Sequence, residues 1–112
     1  MRWIREYYAD EGIWLLMEIG DDGWPNRQVE LRGADGEPVA AAALAEVSHA
    51  RDHGGIGAVR AYEHRYGALA EGSVEEWDVR ADALGRMDGR EFETVWAMAR
   101  RAIERRGDAY LS

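Results

Sequence analysis

Apolar and polar positions alternate through the first third of the chain and recur at helical spacing through the rest. Trp3 to Tyr8 is rich in aromatic residues and predicts a first strand, closed by the polar turn Ala9-Asp10-Glu11-Gly12. Ile13 to Ile19 predicts a second strand with Ile13, Leu15, Met17 and Ile19 on one face. Trp14, Leu16 and Glu18 take the other face, so this strand is covered on both sides and belongs inside a sheet. Gly20 to Asn26 reads as a loop, because Gly, Asp, Pro and Asn each favour turns. From Arg27 to Arg32, Val29 and Leu31 alternate with Gln28, Glu30 and Arg32, the pattern of a half-buried antiparallel strand. Asp35-Gly36 is a hairpin signal. Glu37 to Ala42 then forms a short fourth strand, although alanine is a weak strand former.

From Ala43 to His53 the pattern turns helical and ends at Gly54-Gly55. Ala58 to Ala70 predicts a second helix, with Val59, Tyr62, Tyr66 and Leu69 on one face and Gly72 as its stop. Gly67 inside that stretch costs about 1 kcal/mol relative to alanine. Glu75 to Asp82 reads as a short connector, with a strand as the alternative, before the last helix. The last helix, Gly89 to Arg106, is the most fully specified element. Asp88 is a good N-cap, Glu91 can return a bond to the cap, and Met87 and Phe92 occupy the staple positions. Acids gather at its start, arginines at its end, and Gly107 follows as a stop.

One face of this helix reads Phe92, Val95, Trp96, Ala99, Ala102 and Ile103. The expected fold is α+β: an antiparallel sheet of three to four strands packed on one face by the C-terminal helix, with two further helices in the middle. Trp96, Phe92 and Ile103 are expected against Val29, Leu31 and the Ile13/Leu15/Met17 face. Repeats and linkers are absent, so residues 1–112 read as a single domain.

Composition narrows the function classes. The chain holds no cysteine, which removes disulfides, thiolate nucleophiles and Cys-based zinc sites. No signal peptide or spanning segment is visible, and a cytoplasmic location is expected. With 14 basic against 22 acidic residues the net charge is −8, the wrong sign for a nucleic-acid or anionic-membrane binder. A protein partner with a basic surface fits better. An exposed edge strand, with the first strand as its candidate, leaves a homodimer open.

Two stretches carry a resemblance. Glu18-Ile19-Gly20-Asp21-Asp22-Gly23-Trp24, then Arg27-Gln28-Val29-Glu30-Leu31-Arg32 and Asp35-Gly36, resemble the front half of the small bacterial domain-of-unknown-function family numbered 6881. Phe92-Glu93-Thr94-Val95-Trp96 resembles the ending of the same family. The resemblance spans roughly the first 40 residues and the last 25. In the middle, the family has a short Pro-containing segment where this chain has two expected helices. The resemblance implies a fold and carries no catalytic role.

Three sets of residues are candidates for chemistry. His49 and His53 stand one helical turn apart, with Glu46 a turn earlier and His64 on the next helix, a spacing that suits a metal ion. The Gly54-Gly55 break directly after His53 argues against it, and no metal or cofactor is expected. Glu63 and His64 between Tyr62 and Tyr66 outline a Tyr/His/Glu pocket for a small cofactor-independent enzyme such as a cyclase or isomerase. Solvated Glu63 and His64 over a core face of tyrosines is the simpler reading. The third set is acids beside tryptophan in turns: Asp21, Asp22 and Trp24, and Glu75, Glu76, Trp77 and Asp78. Tryptophan is a favoured interface anchor, and carboxylates around it orient a basic partner. The favoured expectation is therefore a small interaction protein that binds and masks a protein partner, as immunity proteins and antitoxins do. The enzyme is the alternative.

Overall fold

The computed structural model describes residues 1–70, 72 and 83–111. Strands β1 (Arg2–Tyr8), β2 (Ile13–Ile19), β3 (Pro25–Arg32) and β4 (Glu37–Ala43) form an antiparallel meander. Helix α1 (Leu44–Tyr66), strand β5 (Ala83–Met87) and helix α2 (Gly89–Leu111) follow. β5 pairs antiparallel with β1, and the five-stranded sheet runs β4-β3-β2-β1-β5. The class is the expected α+β. The sheet has five strands rather than three to four because Ala83–Met87 adds to β1. That addition makes β1 internal, so the homodimer expectation loses the exposed first strand on which it rested.

Register decides which face α2 covers. Leu16 stands opposite Val29, Trp14 opposite Leu31 and Glu18 opposite Arg27, and residues paired directly across a sheet share a face. Val29 and Leu31 therefore lie with Trp14 and Leu16, not with Ile13, Leu15 and Met17. The core joins Leu16, Val29 and Ala41 to Phe92, Ala99 and Ile103 of α2, with Trp3, Trp14 and Leu31 packed against it. The expected contact with Ile13/Leu15/Met17 is thus corrected. Alternation shows that a strand has two faces, but only the pairing shows which faces of neighbouring strands coincide. Met17 and Ile19 are fully buried on the opposite face. There Gln28 clamps the segment that follows α1: its Oε1 accepts from the Ala70 N–H at 3.0 Å, and its Nε2 donates to the Ala68 carbonyl at 3.4 Å.

Helix α2 starts as its sequence requires. The Asp88 carboxylate accepts the Arg90 N–H at 2.9 Å and the Asp88 carbonyl accepts the Phe92 N–H at 3.0 Å. Gly89 lets the helix approach the sheet, since a β-carbon there would lie 2.9 Å from the Trp3 ring. Along the stripe Phe92, Ala99 and Ile103 are buried, while Val95 and Trp96 stay half-buried at its flank. Gly107 does not stop the helix, which continues to Leu111. A glycine ends a helix only when its backbone turns left-handed, and keeping it helical costs about 1 kcal/mol.

Helix α1 is bent back on itself at Gly55, whose backbone takes φ +69° and ψ −159°. The Tyr62 hydroxyl donates to Glu46 Oε1 at 2.5 Å although the two residues are 16 apart. A straight helix would hold them about 24 Å apart. The two expected middle helices are therefore one element folded into a hairpin, with Gly54 pressed so close to Ala58 that a β-carbon would come within 2.5 Å of the alanine methyl. The second arm ends at Tyr66, short of the expected Ala70. Gly67 turns to φ +94°, donates its N–H to the Glu63 carbonyl at 2.8 Å, and lies against Ala40 where a β-carbon would meet the alanine methyl at 2.5 Å. The Ala43 N–H donates to the Tyr62 hydroxyl at 2.9 Å, which ties the hairpin beside edge strand β4.

Candidate functional site

The β2–β3 turn is held by its own backbone. The Gly20 N–H donates to the Trp24 carbonyl and the Gly23 N–H to the Gly20 carbonyl, both at 2.9 Å. Asp22 Oδ1 accepts the Trp24 N–H at 3.0 Å, the local bond that aspartate favours in turns. Asp21 Oδ1 lies 3.0 Å from the Met1 amine. Pro25 is buried at the start of β3, and the Trp24 indole stands 42% exposed beside two exposed carboxylates. Asp21, Asp22 and Trp24 are thus brought together on one turn. Glu75, Glu76, Trp77 and Asp78 lie outside the described residues.

Behind Trp24 runs a groove of about 560 Å³. Trp24, Leu44, Val47, Ile56, Val59 and Leu69 supply its apolar wall, and Ser48, Arg51 and Glu63 its polar side. Both arms of the α1 hairpin contribute. Ile56, immediately after the fold-back, is 68% exposed. Sequence reasoning missed this groove. The sequence offers an isoleucine set among three glycines, Gly54-Gly55-Ile56-Gly57, but a single exposed aliphatic residue does not mark a site until the fold gathers others beside it.

The other face of α1 is bolted to α2. Glu46 receives the Arg100 guanidinium at 2.8–3.1 Å and the Tyr62 hydroxyl at 2.5 Å. The Arg100 guanidinium lies 4.0 Å from the Tyr66 ring centre and 4.9 Å from that of Trp96. Its Nε is buried without a hydrogen bond among the described residues, with Glu104 Oε1 3.8 Å away. A shallow cleft of about 410 Å³ opens here, lined by Glu46, His49, Tyr62, Tyr66 and Arg100 among others. Burial and the bond to Glu46 push the Tyr62 phenol far above its ordinary value, so it stays a neutral donor.

A second tie joins sheet and helix. Arg27 donates from Nε and Nη2 to buried Glu18 at 2.9 and 2.7 Å, and also pairs with Glu93. Trp3 Nε1 donates to the same Glu18 at 3.0 Å. The hydrogen bonds from Arg27 hold the Glu18 carboxyl below the usual carboxylate range against the opposing cost of its burial. The guanidinium of Arg27 lies 5.1 Å from the centres of both the Phe92 and Trp96 rings.

The remaining candidates stay apart. His49 and His53 stack at 4.2 Å between ring centres, both exposed, and His64 is exposed on the second arm. Glu46 is taken up by Arg100 and Tyr62, and among the described residues no group of three or more His, Asp or Glu side chains gathers for a metal ion. Glu63 and His64 face solvent, as the simpler reading expected. A further carboxylate, Glu6, is buried on the face opposite α2, where it accepts from the Tyr8 hydroxyl and its Oε1 has no partner among the described residues. No helix of the described residues is long and apolar enough to cross a membrane. Comparison with protein-family models, with curated proteins and with solved structures finds no match.

Proposed function

We propose that this chain is a small binding protein that captures and masks a protein partner with a basic surface, the β2–β3 turn supplying the contact. The observation that carries the reading is the Trp24 indole, 42% exposed on a turn fixed by its own hydrogen bonds and flanked by Asp21 and Asp22. An indole held in place loses little freedom on binding, and carboxylates beside it draw a guanidinium or ammonium over its face. The net charge of −8 adds long-range attraction for a basic partner.

The alternative, an enzyme using the Tyr/Trp/His pocket, has the cleft around Glu46 and Tyr62 in its favour. The groups that would act there are engaged with one another, and binding is the better-supported reading. The test is co-expression with the product of the neighbouring reading frame, followed by purification of the complex. Asp21→Asn with Asp22→Asn is expected to slow association and flatten its salt dependence, and Trp24→Ala to speed dissociation. A complex indifferent to both variants would remove the turn from the interface.

A further inference from the structure

We propose that the groove between Trp24 and the α1 hairpin receives an amphipathic helix of the partner, apolar along the groove and basic along its flank. This rests on the binding reading and names what the partner inserts. Trp24 and Ile56, 42% and 68% exposed, are both part of the groove's apolar wall. Between them Leu44, Val47, Val59 and Leu69 add aliphatic side chains to the wall, and α1 as a whole buries none of its 23 residues. A helix gains its stability from an apolar face that is covered. In α1, Leu44, Val47 and Val59 stay half-buried along the groove and Ile56 is exposed, while Tyr66 packs against the core.

Groove construction selects the occupant. Among the described residues the walls are a helical hairpin, a turn and the segment after α1, and that described lining offers no strand edge for an extended peptide to pair with. Affinity must come from side chains seated at helical spacing, the mode in which an apolar helix face lies in a groove. Charge selects its flank. Asp21 and Asp22 stand beside Trp24 and Glu63 lines the groove, while the one guanidinium in the described lining, Arg51, is bonded to Asp52 at 3.4 Å. The same acidity works against a second copy of this chain, whose charge of −8 would be repelled.

The test uses the full chain and synthetic helical peptides of about 16 residues, long enough for four turns. One carries leucines on one face with arginines beside them, a second has glutamate in place of arginine, and a third has serine in place of leucine. Binding is followed by fluorescence anisotropy and by NMR shifts of the Trp24 indole N–H and the Ile56 and Val59 methyls. The Leu/Arg peptide is expected to bind and to shift those signals, and the other two to bind at least tenfold more weakly. Ile56→Asp should cost tenfold or more in affinity without lowering the melting temperature, because an acid is well tolerated at the start of the second arm.

Equal binding of the Leu/Glu peptide, shifts confined to other surfaces, or no binding at millimolar peptide would each overturn the proposal. The complex with the neighbouring gene product separates the two readings. If it survives Ile56→Asp but is lost on Trp24→Ala, the turn binds and the groove does not. If it survives both, both readings fail.

Discussion

Helices α1 and α2 each span 23 residues, α1 as two arms that meet at Gly55, and they relate to the sheet in opposite ways. α2 is straight enough to lay Phe92, Ala99 and Ile103 into the sheet and bury them. α1 folds back at Gly55 and fully buries none of its residues; half-buried Tyr66 packs against the core, and polar ties join Tyr62 to the Ala43 backbone and Glu46 to Arg100. The difference follows from glycine placement. The α2 stripe runs unbroken from Phe92 to Ile103, so its apolar positions share one face. Gly54, Gly55 and Gly57 interrupt α1, and its apolar residues are divided: Leu44, Val47, Ile56 and Val59 line the groove, while Tyr66 packs against the core. One helix supplies stability, and the other supplies surface.

The largest expected effect is on the stability side. Phe92→Ala removes a fully buried ring and should cost about 3–5 kcal/mol in a denaturant melt, whereas Ile56→Ala should cost less than about 0.5 kcal/mol. Similar losses at the two positions would break the comparison. Trp96→Ala should fall below Phe92→Ala, since the Trp96 ring is half-buried and lies against Arg27 and Arg100.

Next is the fold-back. Gly55→Ala places a side chain on a backbone conformation that suits glycine, at a cost of about 1–3 kcal/mol. Separation of the Tyr62 and Glu46 side chains should follow, read from NMR contacts between them. Retained contacts with unchanged stability would mean that Gly55 is not the hinge.

Glu46→Ala then tests the polar bolt. Arg100 is 14% exposed and would lose a bidentate partner, but Glu46 is itself 43% exposed, so about 1–2 kcal/mol is expected rather than the full cost of a buried pair. Weaker peptide binding in the groove should accompany it if the bolt positions the hairpin.

On acid titration the sheet-to-α2 tie should show itself. The folded Glu18 carboxyl lies below its ordinary 4.5, so its contribution is complete above 4.5 and is lost as pH falls from there through the lowered folded-state value. Melting temperature should drop in that window for the native chain and drop less for Glu18→Gln. Parallel curves would show that Glu18 does not set the acid limb. Smallest of all, Trp24→Ala should change stability by less than about 0.5 kcal/mol while altering binding.

Local signals were legible in the sequence where short-range physics decides them. The Asp88 cap, the bounds of β2, the break at Gly54-Gly55 and the exposed Trp24 turn all depend on residues within a few positions of one another. The α2 stripe was equally legible, because its period is set by one helix alone. What covers that stripe was not. Alternation assigns Val29 and Leu16 to one of two faces each, and only strand pairing puts them on the same one. The fifth strand shares that dependence, since Ala83–Met87 becomes a strand by finding β1 as its partner. Tertiary structure alone likewise brought Arg27 to Glu93, Glu46 to Arg100, and Trp24 to the groove that Ile56 also lines. Pairing register and the approach of distant side chains depend on the whole folded chain rather than on any window of it.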